Sequence, residues 1–319
     1  QLGSGPETHT LCPIHVRSQP SRPVQRDKTM TERQTGTEPP QSRPRGFLSV
    51  ARLDLAEVTR SRWLLLCLLL YGLLCVGFVF VGLRESSILG FAGTGRVLLS
   101  LVHALLLLLP LLALMATGQV IVSSRLDGTL ELLFSHPLDR RRYFLAIALV
   151  RYLSLLLPLA VLLSLCCLLL NLLLHQPIPW GFLLRSLLVS ASLLFAFTGL
   201  GLLISTTVRT QTRAMIYMLA VLLLAVLLLD FGIIGILLRL RLPAASVFVL
   251  SAGNPVQAAR LALLSSVEPE LSTLGPVGFY LANRLGSNLL LAVGIGWPAL
   301  FGGLTLFAAV KSFRSSDLL

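Results

Sequence analysis

Long apolar runs, separated by short gaps that carry arginine, constrain this sequence more than any other feature. A helix needs about 20 apolar residues to cross the ~30 Å hydrocarbon layer of a bilayer. Six segments meet that requirement, near 63–83, 97–122, 144–174, 182–208, 215–238 and 288–310. Only 13% of the residues are charged, about half the share in an ordinary soluble domain. A water-soluble globule is therefore excluded, and we predict an all-α membrane protein with six spans.

Two features of the predicted spans bear on their geometry. The third is long enough that we expect it to protrude on one side or to tilt. Pro110, Pro158 and Pro298 fall inside spans. A proline lacks the donor for a helical hydrogen bond and clashes with the preceding turn, so each is expected to kink its helix.

The N-terminal part is predicted to be a polar leader followed by an interfacial helix. Residues 1–46 hold seven of the 17 prolines and no long apolar run, a composition typical of disorder. Met30 opens a short polar stretch and is a candidate native start, in which case the residues before it are an extension. Residues 47–62 predict a partly amphipathic helix in the membrane interface, or else an ordinary solvated helix. Its apolar face would consist of Phe47, Ala51, Leu55 and Val58, interrupted by Asp54.

Arginine and lysine counts indicate how the spans are oriented. Short cytoplasmic loops carry an excess of these residues. With the N-terminus inside, thirteen of them flank the inner ends of the spans and seven lie outside. We therefore expect a six-span domain at 63–314 and a short tail at 315–319. Both termini would be cytoplasmic, and the chain would lie in a bacterial inner membrane.

The chain has a net charge of +12. Nucleic-acid binding is an alternative explanation for this excess of basic residues. The arginines do not cluster with aromatic residues but fall between apolar runs, which favours the membrane explanation. The five cysteines show no C-x-x-C spacing, so neither a metal centre nor a disulfide framework is indicated. Four of them lie in apolar runs and are expected to be small core residues.

The connection between predicted spans two and three carries the most specific pattern. From 123 to 143 it is SSRLDGTLELLFSHPLDRRRY. Asp127-Gly128-Thr129 is a turn and helix-start signal. His136-Pro137 ends that helix, because the residue before a proline avoids the helical region, and Asp139 is placed to cap the next helix. We expect a short helix parallel to the membrane, held between two stiff spans, on which a cytoplasmic partner could push.

Several segments resemble one transporter family. GTLELLFSHPLDRRRYFLAIALVRY, which begins at Gly128, resembles the hallmark segment of ABC-2 type permeases, where a G-T-L-E-L-L run precedes a proline, an arginine-rich step and the third span. The upstream ARLDLAEVTRSRWLL resembles the N-terminal interface helix and first span of these permeases. Two later segments, NPVQAARL and LGPVGFYLANRLG, look most like those of one subgroup of the family. Its members are the permeases of the copper-processing transporter that serves nitrous oxide reductase maturation. The resemblance covers roughly residues 47–314.

The resemblance implies a partner and a set of contact residues. It implies a homodimer of six-span subunits with one ATP-binding subunit docked beneath each. ATP and Mg²⁺ would then be bound by the partner chain, and no cofactor by this one. The connection between spans two and three would be the coupling helix. Its contacts with the ATPase would be Leu130, Glu131, Leu133, Phe134, Asp139, Arg140 and Arg141. The alternative is that the arginines only anchor the third span at the inner surface.

The connection between spans five and six, about 239–287, is expected on the outer side. Asn254 is predicted to cap a helix over 256–265, with Pro255 at its first position. The apolar face of this helix would pack on the membrane surface or against a partner, which by the resemblance is a periplasmic accessory protein. Contact candidates on this side are Gln257, Arg260 and Glu268.

Two ionisable residues are expected at membrane depth. Intramembrane ionisable groups are functional candidates, so His103 in span two and Asp230 in span five are candidates for a translocation path. Each has a structural alternative. His103 could pair with a backbone carbonyl, and Asp230 could sit at the outer interface.

Motifs for catalysis are missing from the sequence. There is no G-x-x-x-x-G-K-[ST], so the chain does not cradle ATP phosphates itself, and neither H-E-x-x-H nor G-x-S-x-G occurs. We expect a transporter membrane subunit rather than an enzyme. Three alternatives stay open: an exporter of a lipid, drug or other small molecule, a membrane-embedded enzyme acting on lipid, and a passive anchor for a cytoplasmic complex. Direct copper conduction is disfavoured, because soft ligands are few.

Overall fold

The computed structural model describes residues 45–89, 93–130, 139–174, 180–228, 253–267 and 286–315. Every secondary-structure element that these residues form is helical. The elements are α1 (Arg45–Arg60), α2 (Arg62–Leu89), α3 (Gly93–Thr117), α4 (Val120–Leu126), α5 (Arg140–Leu174), α6 (Trp180–Thr207), α7 (Gln211–Leu222) with a π-helical continuation (Leu223–Leu228), α8 (Pro255–Val267) and α9 (Gly286–Ser315). Residues 1–44 of the predicted leader lie outside the described residues, whereas Arg45 and Gly46 already belong to α1. Five predicted site residues also lie outside them: Glu131, Leu133, Phe134, Asp230 and Glu268.

Five of the described helical stretches are long and apolar enough to cross a membrane. They are Arg62–Phe80, Leu99–Leu126, Arg140–Leu172, Trp180–Thr207 and Ser287–Ser315. They correspond to predicted spans one, two, three, four and six. The predicted fifth span, 215–238, starts within α7 and is helical to Leu228, where the described part ends. The all-helical membrane fold is confirmed, and the count of six spans stays a prediction.

The third span has the unusual length that the sequence indicated. α5 holds 35 residues, which amounts to about 52 Å of helix at 1.5 Å per residue. That exceeds the ~30 Å hydrocarbon layer, so α5 extends beyond the bilayer or tilts within it. The chain also stays helical through Pro110, Pro158 and Pro298.

α6 and α9 approach each other at backbone distance. A Cβ atom added at Gly199 would lie 2.7 Å from the Gly302 carbonyl oxygen. One added at Gly302 would lie 2.6 Å from Cδ1 of Phe195 and 2.9 Å from Cα of Ala196. Small residues at such crossings let helices pack by close contact in lipid, where the hydrophobic effect does not drive association. This contact joins predicted spans four and six along the middle of the bundle.

α8 is buried within the bundle, which differs from the prediction of a surface helix. Its cap is as predicted: Asn254 Oδ1 accepts from the Val256 amide at 3.1 Å, with Pro255 as first residue. Its apolar side, however, packs on α9, α6 and α3. The buried residues are Val256, Ala258, Ala259, Ala262 and Leu263. The expected packing of this face on the membrane surface or an outer partner is wrong, because the face is already covered by the chain itself.

Asn254 also ties α8 to the fifth predicted span. Its Nδ2 donates to the Ala225 carbonyl at 2.6 Å, inside the π-helical continuation of α7. The Trp297 indole donates to the Gly253 carbonyl at 3.1 Å. The start of α8 is thereby held beside Trp297, well inside α9, and since Gly294 lies against Ala258 and Ala262, α8 runs from there toward the end of the bundle where α6 and α9 begin. We call this end the far end. The link is the segment 123–143 between predicted spans two and three, and the opposite end of the bundle, which carries its described residues 123–130 and 139–143, is the link end.

Candidate coupling site at the link end

The second span is interrupted just before the link. α3 ends at Thr117, and α4 begins at Val120. Amides in the first turn of a helix have no partner within it. In α4, the buried Ser205 hydroxyl of α6 accepts from the Ile121 amide at 2.9 Å and the Val122 amide at 3.3 Å. A side chain of span four thus caps the segment that leads into the link. The sequence prediction ran span two to 122 without this break, although Gly118-Gln119 marks it in an otherwise apolar run.

The turn after α4 matches the predicted pattern. The Asp127 amide donates to the Ser123 carbonyl at 2.9 Å, and Gly128 follows with a φ of +69°. This left-handed conformation favours glycine, which has no Cβ to clash. Thr129 and Leu130 are helical again, which confirms the predicted helix start. The rest of the predicted coupling helix, 131–138, lies outside the described residues.

Leu130 is turned into the bundle rather than toward a partner. Only 1% of it is exposed, and it belongs to a cluster of apolar residues from α4, α5, α6 and α9. The cluster includes Ile121, Phe144, Leu202 and Phe313. The rings of Phe144 and Phe313 are 5.4 Å apart. Leu130 therefore anchors the start of the link helix to spans three, four and six. This differs from its expected place in an ATPase groove.

Asp139 and the arginines after it form the other end of the link. Asp139 Oδ1 accepts from the Arg141 amide at 3.1 Å, so the predicted cap of α5 is confirmed. An acidic cap suits a helix start, where unpaired amides leave a partial positive charge. Asp139 Oδ2 also lies 3.8 Å from Nε of Arg142. Arg140 is half-buried, and Arg141 is exposed.

A buried ion pair joins α1 to span three. Arg151 of α5 donates through Nη2 to Asp54 Oδ1 of α1 at 2.8 Å, and to Glu57 Oε1 at 3.3 Å. The side chains of Arg151 and Asp54 are 11% and 7% exposed, whereas that of Glu57 is 68% exposed. Sequence reasoning noted Asp54 only as a flaw in an apolar face. The sequence signal for its partner was Arg151, an arginine within the third apolar run.

The burial of Asp54 corrects the predicted orientation of α1. Val58, one turn further on, is also buried, whereas Leu55 is largely exposed. The packed face of α1 thus centres on Asp54 and Val58, because the ion pair with Arg151 sets its rotation. Burial raises the pKa of the Asp54 carboxyl above its ordinary value, and this effect outweighs the lowering by the nearby Arg151 charge. The pair holds α1 in place while carrying a net desolvation cost.

The other predicted site residues lie apart from the link. In span two, the Nδ1 of His103 hydrogen-bonds to the Leu99 carbonyl of its own helix at 2.9 Å. This is the backbone pairing that the sequence offered as the alternative to a role in a translocation path. Gln257 and Arg260 are half-buried on α8 at the far end. Four cysteines are buried and free, as predicted for core residues: Cys67, Cys75, Cys166 and Cys167. Among the described residues, no group of three or more His, Cys, Asp or Glu side chains is placed to hold a metal ion.

Comparisons with known proteins identify sequence relatives of this chain. The profile of the family described as ABC-2 family transporter protein matches residues 48–308. The probable ABC transporter permease protein NosY of Stutzerimonas stutzeri is 30% identical over 286 residues, which cover 83% of this chain and 97% of that protein. The protein of the same description from Pseudomonas aeruginosa is 37% identical over 97 residues, covering 30% of this chain and 35% of its own length. The family match takes in most of α1, the link and most of α9.

Proposed function

The chain belongs to the ABC-2 family of transporter proteins, and from this premise we propose how it works. It is a multi-pass permease subunit that couples ATP hydrolysis by a separate ATP-binding subunit to substrate export or to force transmission across the inner membrane. ATP and Mg²⁺ are held by that partner chain. The permease acts as a homodimer, with both termini and the link end in the cytoplasm.

The observation that carries this proposal is the anchoring of the link helix. A helix that starts at Thr129 is fixed to the bundle at its first turn, through the buried Leu130. At its other end the link passes into α5 through the capping Asp139. Force applied by a partner to the residues between these points would act directly on spans two and three. Glu131, Leu133 and Phe134 are the proposed contacts in the ATPase groove, with Asp139 and Arg140 beside them.

Two further contacts would distribute that force. Ser205 connects the start of α4 to span four through the Ile121 and Val122 amides. Arg151 connects span three to α1 through Asp54. A displacement of the link would therefore shift the interface helix together with spans two, three and four.

For the biological role, we propose maturation of the copper site of nitrous oxide reductase. The support is the similarity to NosY over 97% of that protein's length, together with the late segments NPVQAARL and LGPVGFYLANRLG. A periplasmic accessory protein would meet the far end, near Gln257, Arg260 and Glu268. His103 and Asp230 are the candidates for a translocation path. The competing proposal is a permease for a lipid, drug or other small molecule in the same family.

Co-purification from a membrane extract tests the coupling role. The full chain should retain an ATP-binding subunit, and Leu133→Asp with Phe134→Asp should abolish that association, because two charges would enter an apolar groove. The matched control is Leu133→Met with Phe134→Tyr, which conserves size and should retain the partner. The coupling role is contradicted if no ATP-binding subunit associates with the unaltered chain, or if the double aspartate variant retains it fully.

A further inference from the structure

A basic pocket lies at the link end, between the start of α5 and the end of α9. Its volume is about 430 Å³, within the range of small-molecule sites. The lining residues are Arg141, Phe307, Val310, Lys311, Arg314 and Ser315. Three of these six side chains are cationic and none is acidic. The pocket is therefore suited to an anionic group.

The positive charge of this pocket is not neutralised by the described part of the chain. Asp139 is close in sequence, but its carboxylate caps the Arg141 amide and pairs with Arg142. Among the described residues, no carboxylate forms an ion pair with Arg141, Lys311 or Arg314. Three like charges around one cavity repel each other, and a bound anion would relieve that repulsion.

The surroundings of the pocket indicate that the anion belongs to an amphiphile. α5 begins and α9 ends beside it, so it lies where two membrane-crossing stretches leave the hydrocarbon layer. Phe307 is 66% exposed, and the exposed apolar stripe continues along α9 through Leu304 and Leu300 to Trp297. On α5, Leu145 is exposed one turn beyond Arg141. A ligand whose anionic group lies among these cations would therefore have exposed apolar surface of α5 and α9 next to it, on which hydrocarbon chains could pack.

We propose that this pocket binds the phosphodiester headgroup of an anionic phospholipid, with its acyl chains lying along the exposed stripe of α9. A pocket of this volume accommodates a glycerophosphate group, while the acyl chains remain in the bilayer. Basic pockets between membrane helices bind such headgroups through the combined charge of several Lys and Arg side chains. The site removes Arg141 from the set of ATPase contacts, and it does not depend on the proposed transport function.

Native mass spectrometry of the full-length chain, titrated with phosphatidylglycerol or phosphatidylcholine, tests the site. Phosphatidylglycerol should bind at least about tenfold more tightly than phosphatidylcholine, since several cations attract a net anionic headgroup but not a zwitterionic one. The triple variant Arg141→Gln, Lys311→Gln and Arg314→Gln should lose that preference. Its matched control is Arg60→Gln, Arg209→Gln and Arg213→Gln, which removes the same charge from exposed positions outside the pocket and should retain it.

Two further variants keep the test decisive if the triple variant folds poorly. Arg141→Lys with Arg314→Lys preserves the charge and should preserve the preference for phosphatidylglycerol. Phe307→Asn preserves every cation but interrupts the stripe, and should weaken phosphatidylglycerol binding measurably. The proposal is overturned if the pocket variants bind phosphatidylglycerol as the control does, or if both lipids bind equally. It is also overturned if millimolar inorganic phosphate displaces the lipid, because the site would then take a free anion.

Discussion

Arg151 is the residue on which the packing of α1 against α5 depends most. Its side chain is nearly buried and pairs with Asp54 and Glu57. Arg151→Met should lower the free energy of unfolding by about 3–5 kcal/mol, because it leaves the Asp54 carboxylate buried without a partner. Asp54→Asn should cost no more than about 1 kcal/mol, since Glu57 still pairs with Arg151 and desolvation of the carboxylate is removed. Thermal unfolding of the detergent-solubilised protein measures both.

The double variant Arg151→Met with Asp54→Asn provides the control for this asymmetry. Removing the stranded carboxyl should recover most of the stability that Arg151→Met loses. If Asp54→Asn proves as damaging as Arg151→Met, or if the double variant is no better than Arg151→Met alone, the ion pair does not act as described.

The raised pKa of Asp54 gives the same pair a pH signature. The folded state binds a proton at Asp54 more readily than the unfolded state, whose carboxyl titrates near its ordinary value of ~4. This preferential proton binding stabilises the folded state. The stabilisation is fully present below the unfolded-state pKa of Asp54 and is lost as pH rises through its raised folded-state pKa. The thermal midpoint of the natural protein, relative to Asp54→Asn, should therefore fall as pH rises through this window. A difference that rises with pH would contradict the direction of the shift.

Sequence reasoning at this scale identified residues by type and missed their pairing. Asp139 was predicted to cap a helix and does so, since that contact is local. Asp54 was recognised as unusual, but its partner lies 97 residues away in sequence. Leu130 was predicted at the right helix start but with the wrong side-chain direction, because the cluster around it is built from four separate helices.

At the element scale, the cap on α4 is the connection most open to a local test. Ser205→Ala removes the acceptor for the Ile121 and Val122 amides. A hydrogen bond of this kind contributes about 1 kcal/mol, so these amides should exchange with deuterium about fivefold faster. Thr207→Val is the control, because the Thr207 hydroxyl bonds only to carbonyls of its own helix. Unchanged exchange in Ser205→Ala, or equal effects in both variants, would show that α4 is not capped by α6.

The crossing of α6 and α9 offers a pair of adjacent glycines in opposite surroundings. Gly302→Ala should destabilise the protein by about 1–3 kcal/mol, because its Cβ would overlap Phe195 and the Ala196 backbone. A Cβ at Gly303 meets nothing within 4 Å, so Gly303→Ala should leave stability unchanged or raise it through better helix propensity. Thermal midpoints compare the two. Equal effects would mean that the close approach of α6 and α9 is not required.

Helices were predictable where apolar runs were long, and less so where they were short. Apolar length alone located five spans, since a bilayer sets that length. The burial of α8 was not predictable, because an amphipathic helix outside a span is equally compatible with a membrane surface or a bundle. Its cap, by contrast, follows from Asn254 and Pro255 alone. The interruption of span two was not predicted because α4 begins with Val120, Ile121 and Val122, which continue the apolar run of the helix before it.

For the whole molecule, the membrane class followed from composition, and the family followed from the segment that begins at Gly128. The family match over residues 48–308 confirms both. Neither dimerisation nor the transported species follows from a single chain, since these properties reside in partners. What the structure adds is a set of connections, through Leu130, Ser205 and Arg151, that would let one short link act on α1 and three spans together.

The most direct test of the coupling account is a cross-link between the link and the ATP-binding subunit in native membranes. In a Cys12→Ser background the remaining cysteines are buried, so a single thiol can be introduced at the exposed Thr129 or, as the far-end control, at the exposed Ser287. The account predicts a cross-linked product with the ATP-binding subunit from Thr129→Cys and none from Ser287→Cys. A product from Ser287→Cys, or none from Thr129→Cys when the partner co-purifies, would contradict it.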